Sequence, residues 1–338
     1  MIVRERLEQA EFANLSEYAC KSAASRGRER EIEKCALRTD FQRDKDRIIH
    51  CKAFRRLMYK TQVFIYPEGD HYRTRLTHTL EVQQVSRTIA RALRLNEDLT
   101  EAIALGHDLG HTPYGHTGED ALDAIMREVT GGGFSHNEQS VRVVKFIENE
   151  GSGLNLTYET IDGIKNHRTS GSPATLEGAV VRLSDKIAYI NHDIDDALRA
   201  GILTREQIPK ECTDVLGLER GERIDALVSS VVRNSMDKPA VSMEPEAADA
   251  ANTLRAFLFE NVYFSPRQLE ERAKIGHMFE ELFMYYMKNT AGLPAEFLRH
   301  AERDEPIERV ICDYIAGMTD RFILREFTGI FMPIEVRG

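Results

Sequence analysis

The 338-residue chain lacks the cysteine patterns that mark zinc ribbons, thioredoxin-like motifs and disulfide frameworks. Its five cysteines are scattered and no two of them form a CxxC pair, so we interpret them as reduced, mostly buried thiols. No run of 18 apolar residues occurs, and the first residues lack the apolar stretch of a secretory signal. The sequence therefore predicts a soluble, cytoplasmic protein without a membrane partner.

Proline and strand signals are also scarce. The intervals 68–112, 114–172 and 174–208 contain no proline, the residue that would interrupt long helices. Alternating apolar segments bounded by Asn-Gly or Asp-Gly turns are few. Hydrophobic residues at 42% and charged residues at 30% are close to globular averages, which excludes a collagen-like or wholly disordered chain. The chain is predicted to be mainly α-helical.

Two segments show the helical period clearly. In the first, apolar residues recur at i, i+3, i+7 and i+10 at Val82, Val85, Ile89 and Ala92. In the second, they repeat at spacings of three and four over five turns at Val180, Leu183, Ile187, Ile190, Ile194 and Leu198. The second run is too long for a strand, and we expect both helices to pack against others.

Charge is uneven along the chain. In total, 45 Lys+Arg stand against 55 Asp+Glu, a net charge of −10, which disfavours a surface wholly devoted to nucleic acid. Between Lys21 and Lys60, however, 13 basic residues stand against six acidic ones. This basic stretch is either a solvated, mixed-charge helical face or an anion-binding surface, and both interpretations stay open.

The segment that carries chemistry surrounds an adjacent imidazole and carboxylate, His107-Asp108. Such a pair can face one metal where a helix ends or bends, and we expect Gly106 and Gly110 to supply that backbone freedom. Upstream, His78 opens the first periodic helix. Downstream, Asp185 lies on the long helix beside its apolar stripe, where a carboxylate is costly unless a cation or hydrogen-bond donors meet it.

Taken in order, His78, His107-Asp108 and Asp185 form the H…HD…D pattern of the HD phosphohydrolase superfamily. The run HDLGHTPYGH at 107–116, with FSHN at 134–137, resembles more closely the deoxyguanosinetriphosphate triphosphohydrolase-like family of dNTP hydrolases. Further blocks agree with that family: 46–50, 53–57, 60–64, 73–81 and 312–321. The resemblance extends from about Ser25 to about Arg321, in several separate blocks.

The resemblance implies an all-α fold, an HD-domain helical bundle with an additional C-terminal helical portion. It implies hydrolysis of a dNTP to a deoxynucleoside and inorganic triphosphate, with water attacking the α-phosphorus. It also implies a divalent metal ion, for which we expect Mn²⁺ first, with Mg²⁺, Fe²⁺, Co²⁺, Ni²⁺ or Zn²⁺ as alternatives. The expected boundaries are a basic helical segment at 1–45, the metal-dependent core at 46–233, a linker or surface excursion at 234–253 and the C-terminal helical portion at 254–338.

The site residues follow from the same resemblance. The expected metal ligands are His78, His107, Asp108 and Asp185. The expected catalytic residues are His111, His116, Glu119 and His136, with His116 and Glu119 as an acid/base pair at i, i+3. The expected substrate contacts are Arg75 and Lys186 on phosphate, Tyr189 and Asp193 near the deoxyribose, and Gln62 near the 3′-hydroxyl. From its residue context alone, His167 is either close to phosphate or, as the more common case, an exposed loop residue, and His71 and His192 are structural or surface residues.

Alternatives remain at this point. The family resemblance further implies a homo-oligomer and a regulatory dNTP, for which the basic stretch is the first place to look. Another HD hydrolase, such as a 5′-nucleotidase or a phosphodiesterase, would share the four metal ligands. A non-catalytic sensor of nucleotides or single-stranded nucleic acid is the third hypothesis, since Phe54, Tyr59 and Phe64 lie among basic residues, although these aromatics are equally well explained as core.

Overall fold

The computed structural model describes residues 1–62, 73–263, 266–301 and 304–333. Within these ranges the regular structure is helical, apart from isolated β-bridges that pair Arg28 with Thr157 and Thr61 with Thr74. The prediction of an all-α protein is therefore confirmed. The predictions made for Phe64 and His71 fall outside the described residues.

The helices alternate with short turns along the chain. The first third contains α1 (Val3–Asn14), α2 (Asp40–His50), α3 (Lys52–Arg56), α4 (Arg75–Ala92) and α5 (Glu97–Gly106). The middle contains α6 (Gly115–Thr130), α7 (His136–Arg142), α8 (Glu148–Gly151), α9 (Tyr158–Lys165) and α10 (Leu176–Arg199). The last part contains α11 (Lys210–Leu216), α12 (Arg220–Ser235), α13 (Pro245–Leu258), α14 (Pro266–Lys288), α15 (Ala295–Ala301), α16 (Ile307–Ala316) and α17 (Asp320–Phe331).

Helices α4 and α10 lie against each other at the centre of the molecule. Each begins at a threonine whose hydroxyl accepts a hydrogen bond from a first-turn amide, Thr74 for α4 and Thr175 for α10. Of the predicted apolar stripe of α10, Val180, Ile187, Ile190 and Ile194 are fully buried, and Leu183 and Leu198 are half-buried against the same cluster. Burial of each such side chain contributes roughly 1.5–3 kcal/mol. Although α10 has 24 residues, no helix in the described ranges is long and apolar enough to cross a membrane.

The described residues form four apolar clusters. The first joins α4 and α10 to α11, α12 and α13. The second joins α6 to α14, α15, α16 and α17, and the third joins α2, α3, α5 and α9. The fourth joins α4 and α10 to α2 and α5. The side chains predicted to carry chemistry lie on α4 and α10, at the end of α5 and at the starts of α6 and α7.

Two of the expected segments differ from the structure in their secondary structure. The expected linker at 234–253 is helical from Pro245 onward, because proline is well suited to the first position of a helix and Ala247, Ala250 and Ala251 then pack into the core. The expected helical segment at 1–45 is helical only in α1, a short 3₁₀ turn and the start of α2. The boundaries of the domain scheme stay predictions.

The basic stretch is held to the rest of the chain through its arginines. Arg28 is buried in an ion pair with Asp44, and the side chain of Arg47 donates to the carbonyls of Leu154 and Asn155 at 2.7 and 2.8 Å. Arg43 donates to a carbonyl in the same way. Much of the positive charge is thus used to fasten the irregular N-terminal segment, and the regulatory dNTP site stays a prediction.

Candidate active site

The His107-Asp108 turn follows directly from the end of α5. Neither Gly106 nor Gly110 adopts a positive φ, so the expectation that they supply backbone freedom is wrong. Instead, the absence of a side chain at these glycines lets neighbouring segments approach closely. A Cβ atom at Gly110 would lie 2.1 Å from the backbone nitrogen of Ser140 on α7. The hydroxyl of Ser140 accepts from the Gly110 amide and donates to the His107 carbonyl, so α7 is fastened closely to the turn.

The structure brings the four expected metal ligands together. The ligand atoms of His78, His107 and Asp108 lie within 4.8 Å of one another. Asp185 approaches from α10, with Oδ1 3.2 Å from Nε2 of His78 and 4.0 Å from Nε2 of His107. The side chain of Asp185 is 22% exposed, whereas the other three are nearly inaccessible, so Asp185 marks the open side of the group.

The donor set of this group fits a divalent metal ion. Nδ1 of His107 lies 2.7 Å from the carbonyl oxygen of Ala104, which can only accept, so Nδ1 carries the ring proton. Nε2 of His107 therefore carries a lone pair. This nitrogen is buried without a hydrogen-bond partner, 3.6 Å from an oxygen of Asp108. A lone pair buried beside carboxylates is costly unless a cation lies among them. Two imidazole nitrogens and two carboxylates suit Mn²⁺ and other first-row ions.

A second imidazole supports His78 from behind. Nδ1 of His78 lies 2.9 Å from Nε2 of His192, which is fully buried. When Nδ1 of His78 donates this hydrogen bond, Nε2 of His78 is unprotonated, and its lone pair faces Asp108 and Asp185. Of the two alternatives predicted for His192, structural or surface, the structure agrees with the first, since the ring is fully buried against a candidate ligand. The missed signal is its spacing, seven residues after Asp185 on the same face of α10.

The surrounding charges keep both carboxylates of the group ionised. Burial alone would raise the pKa of Asp108, but the charge of His107, when that ring is protonated in the absence of a cation, and the charge of Arg75 hold it well below its usual value. Burial would likewise raise the pKa of Asp185, but the hydrogen bond and charge of a protonated His78 hold it low. A bound cation would replace these protons and leave Nε2 of each ring as a ligand. Both side chains are therefore acceptors across the physiological pH range, as ligands of a cation must be.

The expected catalytic residues form a second group beside the first. The ligand atoms of His111, His116, Glu119 and His136 lie within 4.8 Å of one another. One carboxylate oxygen of Glu119 lies 2.9 Å from Nδ1 of His116 and 2.9 Å from Nδ1 of His136. The ring of His111 stacks on that of His136 with centroids 4.5 Å apart. Burial would raise the pKa of Glu119, but hydrogen bonds from the two histidines hold it far below its usual value.

Within this group His116 faces solvent, with a side chain that is 68% exposed. It lies in the first turn of α6, which begins at Gly115, and Tyr114 and Gly115 both have left-handed conformations, with φ of 56° and 58°. Gly115 is required there, because a Cβ atom would lie 2.9 Å from Nη2 of Arg75. The entry to α6 is held by Asp320, whose carboxylate accepts from the Tyr114 amide at 2.9 Å.

Lys60 fastens the same turn from the opposite side. Its ammonium group is buried, and it donates to the carbonyl oxygens of His111 and Ala316, the latter at 2.9 Å. Burial, with the nearby charge of Arg56, lowers the pKa of Lys60 to about 7. The C-terminal helices α16 and α17 are thus bonded directly to the turn that carries the catalytic candidates. In the sequence, Lys60 is marked only as the first residue of the family-like segment 60–64.

His167 connects the two groups, and its prediction as an exposed loop residue is wrong. The residue follows the end of α9 and is 2% exposed. Its ring lies 5.0 Å, centroid to centroid, from that of His107, and its Nε2 lies 3.1 Å from Nε2 of His136. Burial lowers the pKa of His167 to about 3, so the ring is neutral. No helical spacing marks this residue, because it lies beyond the last turn of its helix.

Two of the expected substrate contacts, Arg75 and Gln62, are connected to the four expected metal ligands through Asp108. Arg75 is buried and its Nη1 donates to Asp108 at 2.7 Å, while its Nη2 donates to the carbonyl oxygen of Gln62 at 3.2 Å. The side-chain oxygen of Gln62 is buried without a hydrogen-bond partner. The structure thus places Arg75 on a candidate metal ligand, and its contact with phosphate stays a prediction.

The other expected substrate contacts meet the C-terminal portion of the chain. Lys186 donates to the side chain of Asn252 at 2.6 Å. Burial raises the pKa of Tyr189 above its usual value, with Arg255 close by. Asp193 is buried and accepts a hydrogen bond from the hydroxyl of Tyr263. The predicted polar stripe of α10 is therefore lined by α13 and the turn after it, whose residues the sequence did not mark.

Comparison with known proteins adds to this geometry. The HD domain family matches residues 75–190, and the phosphohydrolase-associated domain matches residues 241–328. A protein of Caldanaerobacter subterraneus subsp. tengcongensis is 60% identical over 98% of this chain and 97% of its own. Proteins of Clostridium perfringens strain SM101 and Desulfatibacillum aliphaticivorans are 51% and 48% identical, over 98% of this chain and 98% and 99% of theirs. Each is named a deoxyguanosinetriphosphate triphosphohydrolase-like protein.

Proposed function

Because the chain belongs to the deoxyguanosinetriphosphate triphosphohydrolase-like family, we propose that it hydrolyses a deoxynucleoside triphosphate to the deoxynucleoside and inorganic triphosphate. Membership confirms the resemblance found in the sequence. The observation that carries the proposal is the adjacency of two groups: a buried His/Asp set suited to a divalent cation, and a His/Glu set with one exposed imidazole. Such a pair can hold a phosphate ester and exchange a proton at its leaving oxygen.

His78, His107, Asp108 and Asp185 are the proposed ligands of the cation. Bound there, a divalent cation supplies positive charge to an α-phosphate oxygen and a position for the attacking water. The chain's own part is to keep these ligands in place. The carbonyl of Ala104 orients the ring of His107, and His192 orients that of His78, so that each presents Nε2 to the shared space.

His116 is the proposed acid/base residue. Its Nδ1 is held by the carboxylate of Glu119, which fixes the protonated nitrogen and leaves Nε2 to exchange a proton with the reacting oxygens. The 5′ oxygen of the sugar leaves as an alkoxide unless it is protonated, so a positioned imidazole lowers that barrier. His111 and His136 complete the wall of the same space.

The proposed substrate groove extends from the metal group along the polar stripe of α10. Asp185 lies at its open end, followed by Lys186 and Tyr189 one and four residues later. The ammonium group of the half-buried Lys186, which donates to Asn252, suits a phosphate, and the phenol of Tyr189 suits the face of a deoxyribose. A ribose would bring an additional hydroxyl that needs space and a hydrogen-bond partner, so packing at Tyr189 favours deoxynucleotides.

The test is to separate the products. The purified protein is incubated with each dNTP, alone and in a mixture of all four, with Mn²⁺ or Mg²⁺, and the phosphates are resolved by anion exchange. We expect inorganic triphosphate and deoxynucleoside in equal amounts. Release of pyrophosphate or monophosphate would assign the protein to another class of hydrolase, and absence of turnover in every mixture would favour a sensor. The D185A variant controls for contaminating phosphatases.

A further inference from the structure

The ring of His111, one of the catalytic candidates, is placed without hydrogen bonds. His111 is fully buried, and neither of its ring nitrogens has a hydrogen-bond partner among the described residues. The ring instead stacks on that of His136 at an interplanar angle of 11° and meets that of His116 edge-on, with centroids 5.0 Å apart. Such contacts fix direction less tightly than hydrogen bonds, which weaken steeply with angle. The position of the ring therefore depends on how the backbone of His111 is held.

The backbone of His111 is bonded at both of its polar groups. Its amide donates to the carbonyl oxygen of Asp108 at 3.0 Å, within the turn itself. Its carbonyl oxygen accepts from Nζ of Lys60, a side chain that is buried. The first bond is local and moves with the turn. The bond from Lys60 comes from outside the turn, so it fixes His111 relative to the rest of the chain.

Lys60 is itself held from several directions. It follows a 3₁₀ turn at Leu57–Tyr59, and its carbonyl oxygen accepts from the amide of Arg75, the first residue of α4, at 3.0 Å. Its Nζ also donates to the carbonyl oxygen of Ala316, the last residue of α16, at 2.9 Å. An ammonium group has three N–H groups and a neutral amine has two, so both carbonyls can be bonded in either state.

This inference rests on the proposed function and adds a residue to it. We propose that Lys60 is a positioning residue for the hydrolysis, which keeps His111 in place beside His116 and His136 by bonding the His111 carbonyl to the end of α16. Among the described residues, no hydrogen bond of the Lys60 side chain reaches the polar stripe of α10, where the substrate groove is proposed. Loss of the Lys60 amine is therefore expected to lower kcat and to leave KM nearly unchanged.

Steady-state kinetics of matched variants test this split. K60M keeps the length and the apolar stem of the side chain but removes its N–H groups. We expect its kcat for release of inorganic triphosphate to fall roughly 10²-fold, as when a reacting group is misplaced by about 1 Å, with KM within roughly threefold of the native value. K52M is the control, since it removes an exposed lysine that reaches Glu296 on α15 at 3.1 Å, and it is expected to retain the native kcat.

Chemical rescue distinguishes a hydrogen-bond donor from a side chain that only fills space. K60A lacks the three carbons and the nitrogen beyond Cβ, which is the composition of n-propylammonium. Lys60 also lines a cavity together with Gly110 and Gly317, so the gap left in K60A joins that cavity. We expect n-propylammonium chloride to restore part of the kcat of K60A. Tetramethylammonium chloride, a cation without N–H groups, is expected to restore none.

A measurement without turnover keeps this proposal apart from the proposed function. With Mg²⁺ present, the ring ¹³C–¹H signals of His111, assigned with H111A, carry the ring-current shift of the stacked His136. We expect these signals to move in K60M, whereas those of the exposed His277 stay in place. Moved signals in K60M, with no inorganic triphosphate formed by the native protein, would contradict the proposed function alone.

The opposite results overturn the proposal. A native kcat in folded K60M, with His111 signals unmoved, would show that the bond from Lys60 does not position the ring. A rise in KM at unchanged kcat would assign Lys60 to substrate binding. Rescue of K60A by both cations or by neither would make Lys60 a structural residue, and so would failure of both variants to fold in n-propylammonium chloride.

Discussion

His78 and His192 lie on different helices, and Nδ1 of the first is 2.9 Å from Nε2 of the second. His192 is fully buried and touches no solvent, so its contribution to the site is to fix the ring of a candidate metal ligand. The contact also connects the site to the C-terminal portion. The adjacent Asp193 accepts a hydrogen bond from Tyr263, which follows α13. His192 is therefore a positioning residue between the two halves of the chain.

Replacing His192 by alanine is expected to lower the affinity of the His78 centre for Mn²⁺ roughly 10–100-fold, as for other partners of metal-bound histidines. H192Q is expected to recover part of this loss, because its side-chain oxygen can accept from Nδ1 of His78. Mn²⁺ titration followed by electron paramagnetic resonance measures the affinity. H277A, an exposed imidazole on α14, is the control. Equal affinities of H192A and the native protein would remove the positioning role.

Loss of the Glu119 carboxylate is expected to impair turnover more than stability. The E119Q variant retains the shape of the side chain but loses the charge that holds His116 and His136. We expect kcat to fall roughly 10²–10⁴-fold, the range that a positioned acid/base group contributes. Steady-state release of inorganic triphosphate measures the change, with E128Q on the exposed face of α6 as the control. A kcat within threefold of the native value would show that Glu119 does not orient the acid/base residue.

The G110A variant tests how closely the His107-Asp108 turn packs against α7. In G110A the new Cβ atom would lie 2.1 Å from the backbone nitrogen of Ser140, so α7 has to move. We expect the free energy of unfolding to fall by about 1–3 kcal/mol, as for other overpacked sites. G276A on α14 is the control, since nothing lies within 4 Å of its added atom and alanine favours a helix by up to ~1 kcal/mol. Urea denaturation of both variants gives the comparison, and equal stability would contradict the close packing.

Glu177 makes the stability of the fold depend on pH. Its Oε1 accepts from the amides of Cys20 and Asn96 at 2.9 Å each, while its Oε2 is buried without a partner. Burial raises the pKa of this carboxyl to about 7. Between the unfolded value near 4.5 and the folded value near 7, the unfolded chain releases a proton that the folded chain keeps. The stabilisation is complete below the lower value and is lost as the pH rises to the upper one.

The E177Q variant is therefore expected to weaken this pH dependence. Its amide is neutral at every pH and retains the acceptor for Cys20 and Asn96. The part of the pH dependence that Glu177 contributes is on the order of 3 kcal/mol, because each pKa unit corresponds to about 1.4 kcal/mol. Urea denaturation at pH 5 and pH 8 measures the difference, with the exposed E211Q as the control. An unchanged pH dependence in E177Q would mean that Glu177 is ionised in the folded protein.

The sequence predicted those parts of the fold that depend on helical periodicity. Val180 and Ile187 recur on one face of α10 because burial of that face is what stabilises the helix, and the pattern is local. The stretch around Pro245 carries proline and polar residues that are typical of a linker, and the structure shows a helix there. The apolar spacing of Ala247, Ala251 and Leu254 is the helical signal that the proline obscured.

The sequence predicts the motif residues of the candidate site but not the residues that pack around them. His107 and Asp108 are adjacent in sequence, and the family pattern supplies His78 and Asp185. By contrast, His167 lies 31 residues from its neighbour His136, and only the packing of α9 against α7 brings them together. No spacing along one helix reports such a contact, because it is made between the ends of two helices. The groups that hold a site from behind are for this reason harder to predict than its ligands.

The most direct test of the account is the fate of the oxygen atom that water contributes. We propose that water attacks the α-phosphorus and that the 5′ oxygen leaves with the sugar. Hydrolysis of a dNTP in water labelled with ¹⁸O, followed by mass spectrometry of both products, is expected to place the label in inorganic triphosphate and none in the deoxynucleoside. Label in the 5′-hydroxyl of the deoxynucleoside, or label recovered in pyrophosphate or monophosphate, would contradict it.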